Sequence, residues 1–387
     1  MRRTRLLFAI ESGADVRLVE GLAERFDLTT LARRIEGGVE ISWPPREGGS
    51  ALRVGPPSRL GFARQVFGEV AGAGGRYDAV VVQNYGPAAL AANLAARRRN
   101  LPVFMLVCSP VERYYLCRRE HAAPGKRFRR AELLALLAFA RANARAGRHY
   151  LVLSEHLAEV VRGHGGGRLP VSVVPVYGVD TGIFSPATEP RRAVRARLGL
   201  PESGALVFFS SRVAPEKDAE TLLAAFRALL AEGRDLWLLH RSGAHRAFVR
   251  DAQRFGIAGR VVATDAVHPH EGLADDYRAS DLCVQASREE GLGFSVLEAL
   301  ACETPVVASA TGGLRETVRD GETGWTYPVG DSDALARAVA RALGDRPEAA
   351  RRAARGRGMV RALYERRLVF DRFQAVIESA ARGGSGG

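Results

Sequence analysis

A glycine turn between two glutamates constrains this chain more than any other feature. The stretch from Glu290 to Gly313 reads EGLGFSVLEALACETPVVASATGG, which places Glu290 just before the turn and Glu298 just after it. A glycine turn that opens a helix presents unpaired backbone N–H groups, and these can hold a phosphate without a metal ion. The pattern therefore predicts a diphosphate at the turn, with one carboxylate meeting a sugar and the other meeting a ribose. Taken without the glycines, two such glutamates would more simply lie on a solvated surface helix.

The same stretch resembles the donor-site motif of retaining glycosyltransferases of the GT-B type, in glycosyltransferase family four. The familiar form is E-G-F-G-x-x-x-x-E-A-x-A-x-G-x-P-V-V-A-S, followed by G-G-x-x-E. Here Leu292 stands in place of the usual Phe and Glu303 in place of the usual Gly, while Gly312, Gly313 and Glu316 complete the pattern. The resemblance covers most of the C-terminal half of the chain.

Alternating strand-like and helix-like segments predict an α/β fold. In the first half, apolar runs at 6–10, 77–82 and 102–107 alternate with helical patterns, and a second alternating unit begins at residue 205. Such alternation is typical of parallel sheets with helices on both faces. The resemblance implies the GT-B architecture, which has two Rossmann-like domains facing across a deep cleft and a C-terminal helix that crosses back to the first domain.

The domain boundaries are predicted from a hinge-like segment. The sequence VPVYGVD at 174–180, followed by Phe-Ser-Pro, resembles the hinge of this family. We therefore expect an N-terminal acceptor domain at 1–180 and a C-terminal nucleotide-sugar donor domain at 181–360. A final amphipathic helix at 361–382 would return to the first domain, and 383–387 would be a flexible tail.

Two basic residues in the second half are candidates for holding a donor diphosphate. The segment SSRVAPEKD, from Ser210 to Asp218, resembles the family's G-R-x-x-x-x-K-G element. Arg212 and Lys217 are expected to neutralise the phosphates, and Lys217 is one of two lysines in a chain that otherwise uses arginine. Both cations and a helix dipole would stabilise negative charge on the leaving phosphate. Without the glutamate motif, the same loop would be an exposed turn of mixed charge.

The resemblance assigns the catalytic role to Glu290, Arg212 and Lys217. It implies that Glu290 contacts the transferred sugar, that Glu298 binds the ribose and that the backbone amides of 293–296 hold the phosphates. The complete predicted donor site consists of Gly13, Arg212, Lys217, Glu290, Gly291, Leu292, Gly293, Phe294, Ser295, Val296 and Glu298. No D-x-D element occurs in a matching context, so we expect no metal and no cofactor besides the nucleotide-sugar co-substrate.

The sequence departs from the family at the predicted strand end after residue 107. A histidine often stands there, but this chain has Cys108 and Ser109. Asn84, Cys108 and Ser109 are therefore predicted to line the acceptor or sugar pocket. Gly13 follows the first strand and would face the donor, although a lone glycine also fits a simple strand–helix turn.

Three histidines are candidates for contact with the nucleotide, although the sequence patterns around them are less specific. Val267 and His268, with His270 beside them, lie where a loop would meet the nucleotide base. His240 ends a predicted strand where a G-x-G is usual, and it either stacks on the nucleotide or lies at the surface.

Composition narrows the partners and the compartment. The formal net charge is +13, but almost all basic residues are arginine and no basic motif is interleaved with aromatics, so a nucleic-acid partner is not expected. A basic segment from Lys126 to Arg130 opens a leucine-rich helix, which would either touch an anionic membrane or pack in the core. There is no apolar run of ~20 residues and no signal peptide pattern.

The four cysteines lack C-x-x-C spacing, which predicts free thiols in a reducing cytoplasm. Together with the basic helix, this predicts a cytoplasmic protein that is peripheral on the inner face of the membrane.

The family resemblance implies a retaining transferase. It would move a hexosyl or N-acetylhexosaminyl group from a UDP- or GDP-linked sugar to a hydroxyl of a glycan or lipid-linked acceptor, in glycan, polysaccharide or glycolipid biosynthesis. The resemblance implies front-face attack, with the leaving phosphate taking the acceptor proton. Two alternatives stay open: another GT-B enzyme, such as a nucleotide-sugar epimerase or a sugar phosphorylase, and a catalytically silent partner subunit.

Overall fold

The computed structural model describes residues 2–36, 38–39, 41–42, 51–97, 100–121, 129–167 and 169–383. The chain divides into two compact units. The first consists of Met1–Glu112, Arg127–Gly178 and Arg367–Gly387, and the second of Arg113–Lys126 and Val179–Arg366. The predicted basic residues Lys126 to Phe128 and most of the predicted tail lie outside the described residues.

Among the residues described, the chain up to Gly178 contains ten strands and six α-helices. The strands are β1 (Arg5–Ile10), β2 (Ala14–Asp15), β3 (Asp27–Ile35), β4 (Gly38–Val39), β5 (Ile41–Ser42), β6 (Ala51–Gly55), β7 (Ala79–Gln83), β8 (Val103–Val107), β9 (His149–Val152) and β10 (Val171–Val173). The helices are α1 (Val16–Arg25), α2 (Arg59–Ala71), α3 (Pro87–Ala96), α4 (Val111–Glu120), α5 (Arg130–Ala146) and α6 (Glu155–Val161). From Arg113 onward, α4 belongs to the second unit.

The main sheet of the first unit has the order β10-β9-β8-β7-β1-β3-β4, and β6 also pairs with β3. All of these pairs are parallel except β3 with β4. Strands β7 and β8 are buried along their whole length, as continuous apolar runs covered on both faces require. Strand β6 is mostly exposed, and helix α2 buries Phe62, Val66 and Val70 at helical spacing; the sequence analysis predicted neither element.

The second unit is an α/β unit with a fully parallel sheet of six strands. The strands are β11 (Ala205–Phe209), β12 (Leu236–Arg241), β13 (Val261–Thr264), β14 (Leu282–Gln285), β15 (Val306–Ser309) and β16 (Trp325–Tyr327), in the order β13-β12-β11-β14-β15-β16. The helices are α7 (Arg191–Arg197), α8 (Ala219–Ala231), α9 (His245–Arg254), α10 (Leu273–Ala279), α11 (Phe294–Ala301), α12 (Leu314–Thr317), α13 (Ser332–Gly344) and α14 (Arg346–Met359). The second alternating unit that the sequence predicted from residue 205 is confirmed.

The last helix, α15 (Arg366–Gly383), packs on the first unit, as the resemblance implied. The ring of Phe370 lies against Gly21 so closely that a Cβ there would be 2.0 Å from its Cζ atom. Phe373 makes an edge contact with Phe26 at a centroid distance of 6.0 Å. The predicted helix is not continuous from residue 361, because Glu365 adopts φ −58° and ψ 133° and ends the preceding turn.

Candidate functional site

The predicted donor residues of the second unit lie in loops at the carboxyl edge of its sheet. Lys217 follows β11, Glu290 follows β14, and the glycine pair at 312–313 follows β15. Because β11, β14 and β15 are parallel neighbours, their following loops meet at one edge. Ligands of open α/β sheets bind at this edge.

A buried ion pair joins two of the predicted catalytic residues. Lys217 Nζ lies 2.5 Å from Glu290 Oε2, and the two side chains are 12% and 11% exposed. Glu290 also accepts hydrogen bonds from Ser287 Oγ at 3.0 Å and from Gln285 Nε2 at 3.3 Å. Gln285 in turn accepts from Ser295 Oγ at 2.9 Å, which connects the carboxylate to the first turn of α11. Sequence reasoning missed Ser287 and Gln285, since neither residue type stands out in a polar loop.

The glycine turn opens α11 as predicted. Gly293 is the N-cap residue, with φ 92° and no side chain to cap the helix. Such an end directs backbone N–H groups and the positive end of the helix dipole out of the helix. The prediction for Val296 is wrong in one respect, because its amide already donates to the Gly293 carbonyl at 3.1 Å.

The second glycine pair supports the turn from behind. Gly313 N donates to the Glu290 carbonyl at 3.0 Å. A Cβ at Gly312 would lie 2.2 Å from the Glu290 carbonyl oxygen, and a Cβ at Gly313 would lie 2.3 Å from that of Gly291. The G-G of the motif is therefore required by backbone packing against the loop that carries Glu290.

Arg212 lies beside a buried carboxylate that the sequence reasoning did not single out. The Arg212 side chain is 70% exposed, and its Nη2 lies 3.7 Å from Glu216 Oε1. Glu216 is fully buried and accepts from Arg118 Nε at 2.9 Å and Arg118 Nη2 at 2.5 Å. Burial alone would raise the pKa of Glu216, but the hydrogen bonds and charge of Arg118 outweigh it and hold the pKa below its ordinary value. Glu216 therefore stays charged and can orient both arginines.

Glu298 lies on the inner side of α11. It is 3% exposed, and its Oε2 accepts a hydrogen bond from the Tyr277 hydroxyl at 2.8 Å. Burial and the charge of Glu298 raise the pKa of Tyr277, so the phenol remains a donor. The two glutamates of the motif therefore have different partners, a cation for Glu290 and a neutral hydroxyl for Glu298.

The predicted residues of the first unit lie at the carboxyl ends of β1, β7 and β8. Asn84, at φ 61°, donates from Nδ2 to Ser12 Oγ at 2.8 Å, next to Gly13. Its buried Oδ1 has no hydrogen-bond partner among the described residues. The Tyr177 hydroxyl donates to Cys108 Sγ at 3.8 Å, and burial raises the pKa of the Cys108 thiol to about 12. Ser109 follows Cys108 and is half-buried.

Both predictions for His240 are wrong. It is fully buried, neither at the surface nor available to a nucleotide, and it stacks on Phe248 at a centroid distance of 4.0 Å. Its Nδ1 lies 3.0 Å from the Phe209 carbonyl oxygen. His268 and His270 lie between β13 and α10 with ring centroids 5.4 Å apart, and Val267 precedes them.

Neither a metal-binding group of side chains nor a membrane-spanning helix occurs among the described residues. No group of three or more His, Cys, Asp or Glu side chains among them is arranged to hold a metal ion. Within the same ranges, no helix is long and apolar enough to cross a membrane.

Two parallel-sheet α/β units, with a glutamate-flanked glycine turn at the carboxyl edge of the second, define a glycosyltransferase of the GT-B type. The family model "Glycosyl transferases group 1" matches residues 190–359, and the model "Glycosyl transferase 4-like domain" matches residues 11–176. Together the two matches span most of the chain, and the chain belongs to the glycosyltransferase family that combines these two domains.

Curated relatives include two proteins named D-inositol 3-phosphate glycosyltransferase. The one from Geodermatophilus obscurus is 38% identical over 192 residues, which are 47% of this chain and 42% of the relative. The one from Xylanimonas cellulosilytica is 37% identical over 218 residues, which are 54% of this chain and 51% of the relative. The chain thus spans about half the length of the curated relatives it matches.

Solved structures share the fold over nearly the whole chain. Sucrose-phosphate synthase from Thermosynechococcus elongatus has a TM-score of 0.75 at 22% identity and covers 97% of this chain and 99% of its own. Anabaena HepE in complex with UDP-glucose has a TM-score of 0.76 at 17% identity and covers 97% of this chain and 99% of its own. WaaG, a glycosyltransferase involved in lipopolysaccharide biosynthesis, has a TM-score of 0.71 at 17% identity and covers 99% of this chain and 100% of its own.

Proposed function

We propose that this protein transfers a hexosyl or N-acetylhexosaminyl group from a UDP- or GDP-linked sugar to a hydroxyl of a glycan or lipid-linked acceptor, with retention of anomeric configuration. The observation that carries the proposal is the Lys217–Glu290 ion pair near the N-terminus of α11. It places a cation and a carboxylate beside a helix N-terminus, which suits a diphosphate linked to a polyhydroxyl sugar. Family membership supports the same chemistry.

Each charged residue of the predicted donor site has a proposed part in the reaction. Lys217, Arg212 and the α11 dipole stabilise the charge that develops on the leaving phosphate. Glu290 accepts hydrogen bonds from the sugar hydroxyls, and Glu298 accepts them from the ribose. The phosphate takes the acceptor proton as the acceptor oxygen attacks from the same face. The reaction as proposed needs neither a metal ion nor a further cofactor.

The proposed location is the cytoplasm, with peripheral contact to the anionic inner face of the membrane. The support lies on α5, where Leu134 is 66% exposed and follows the exposed residues Arg129 and Arg130. Apolar side chains beside cations favour an anionic lipid surface. Co-sedimentation with phosphatidylglycerol vesicles tests this part: Leu134→Ser should weaken binding, whereas Val329→Ser, at a position that is 40% exposed and precedes Asp331, should not.

A thermal-shift panel of UDP-, GDP- and ADP-sugars tests the donor first. A ligand at 100 times its dissociation constant adds roughly 2.7 kcal/mol to the free energy of unfolding, so a true donor raises Tm measurably. Incubation of the stabilising donor without acceptor then separates transfer from epimerisation. Product analysis by NMR with an acceptor library gives the anomeric configuration. If no nucleotide or nucleotide-sugar shifts Tm, the proposal is wrong.

A further inference from the structure

A cavity in the first unit lies at the carboxyl edge of its sheet. It has a volume of about 540 Å³, and its lining consists of Arg34, Val54, Gly55, Pro56, Pro57, Gly61, Arg64 and Gln65. These residues come from the end of β3, the end of β6 and the start of α2. Because β1, β3 and β6 are parallel, the cavity opens at the same edge as the Gly13 turn. That edge is where open α/β sheets bind their ligands.

The cavity wall is closely packed. A Cβ at Gly55 would lie 2.6 Å from the Phe62 ring, and a Cβ at Gly61 would lie 2.7 Å from Ser58 Oγ. Arg33 holds the wall in place, since its Nε donates to the Glu11 carbonyl at 2.8 Å and its Nη1 donates to the Pro57 carbonyl at 2.8 Å. The wall is thus tied directly to the loop that follows β1.

Two other arginines line the cavity, and unlike Arg33 they do not hold its wall in place by hydrogen bonds. The side chains of Arg34 and Arg64 are exposed, and neither guanidinium makes a hydrogen bond or ion pair with any part of the chain that the structure describes. Among the described residues that line the cavity, none is an aspartate or a glutamate. Two like charges that share a cavity repel each other unless an anion lies between them. Guanidinium groups also match the geometry of phosphate oxygens better than any other side chain.

From these observations we infer that the cavity binds a phosphate ester carried by the acceptor. Arg34 and Arg64 would hold the phosphate, while Val54, Pro56 and Pro57 would contact the carbon skeleton to which it is attached. The inference rests on the proposed function, because it assigns the cavity to the acceptor of that reaction. It defines a class, a phosphorylated acceptor, whether the phosphate belongs to a soluble sugar or to a lipid headgroup.

Calorimetry with two soluble probes tests the site. The probes are glucose 6-phosphate, with glucose as its neutral parent, and dihexanoyl phosphatidylglycerol below its micelle concentration. We expect one of the two phosphate esters to bind, glucose not to bind, and affinity to fall as salt is raised. Arg34→Gln and Arg64→Gln should each weaken binding about tenfold, since each removes a charge-assisted hydrogen bond. Preference for the sugar phosphate or for the lipid identifies the source of the phosphate.

The matched control is Arg59→Gln, which changes an exposed arginine at the start of α2 outside the cavity lining. It should bind the probe as the unchanged protein does. Equal binding by Arg34→Gln, Arg64→Gln and the unchanged protein would overturn the inference, as would the absence of binding by either ester.

The same variants separate this inference from the donor proposal. Arg34→Gln and Arg64→Gln should leave nucleoside diphosphate affinity unchanged, whereas Lys217→Ala should lower it and leave the ester probe bound. Once a donor is known, the arginine variants should raise KM for the acceptor with little change in kcat. A protein that binds the ester but no nucleotide would contradict the donor proposal and support the anion site.

Discussion

The ammonium of Lys217 lies 2.5 Å from the carboxylate of Glu290, and both side chains are almost buried near the N-terminus of α11. Sequence reasoning gave these residues separate tasks, one on the phosphate and one on the sugar. Their contact means that each also sets the charge environment of the other. A donor that enters the site would exchange part of this ion pair for contacts with its own phosphate and hydroxyl groups.

The pair should show coupling in stability measurements. Lys217→Ala leaves a buried carboxylate without its cation, so we expect a loss of about 1–3 kcal/mol in the free energy of unfolding. Glu290→Gln removes that unpaired charge, so the double variant should lose less than the sum of the two single losses. Urea denaturation of the four proteins measures this. The exposed pair Asp251 and Arg254 is the control, where near-additive, small effects are expected.

The same cations should matter for turnover. Arg212→Ala and Lys217→Ala should each lower kcat by roughly 10²-fold or more, because each removes positive charge from the departing phosphate. Arg254→Ala is a matched control, since its side chain is 73% exposed where that of Arg212 is 70% exposed. Unchanged kcat in either site variant would remove that residue from the mechanism.

Gly313 should be required for donor binding although it carries no functional group. In Gly313→Ala the new Cβ would meet the Gly291 carbonyl oxygen at 2.3 Å, so the loop that bears Glu290 must shift. We expect a lower Tm and at least tenfold weaker nucleotide binding, measured by thermal shift and calorimetry. Gly259→Ala is the control, because no atom lies within 4 Å of its added Cβ. Full affinity in Gly313→Ala would show that the turn is not the donor site.

His240 should make the stability of the second unit depend on pH. Burial lowers the pKa of His240 to about 4, against 6.5 for the exposed group, and the Phe209 carbonyl offsets only part of this. The unfolded chain therefore binds the proton first, so the stabilising effect is complete above pH 6.5 and is lost as pH falls towards 4. Each pH unit in that window costs about 1.4 kcal/mol. Denaturation between pH 7 and 4 should show a shallower decline in His240→Phe, and no change in the exposed control His121→Gln.

Metal removal tests the proposed metal-independent chemistry. Since Lys217, Arg212 and the α11 dipole are expected to neutralise the leaving group, EDTA should leave turnover unchanged. Activity lost on EDTA treatment and restored by Mg²⁺ or Mn²⁺ would contradict this part of the mechanism. The control is the same protein carried through identical dialysis without the chelator.

The strands and the donor loop were predictable because their signals are local. Buried parallel strands read as continuous apolar runs, as in Val80 to Val82, and the turn before α11 needs glycine at φ 92°. Glu290 and Lys217 could be selected because their segments resemble family motifs, but their direct contact could not be predicted, since it depends on two loops that are 73 residues apart.

The misses have physical causes as well. Glu216 reads as one more loop carboxylate, and only the fold brings Arg118 to it from a distant segment. His240 looks like a surface or ligand residue until burial against Phe248 shows that it is part of the core. Strand β6 is exposed along four of its five residues, so no apolar periodicity marks it.

We propose that Glu290 and Glu298 contact opposite ends of a nucleotide-sugar donor. Calorimetry with the nucleoside diphosphate of the identified donor tests it most directly. Glu298→Gln should lose a few-fold to tens-fold in affinity, because it weakens a charge-assisted contact with the ribose. Glu290→Gln should bind the diphosphate at least as tightly as the unchanged protein does, because that ligand lacks the transferred sugar and Lys217 loses its carboxylate partner, and should instead lower turnover with the full donor. An equal loss of diphosphate affinity in both variants would contradict the account.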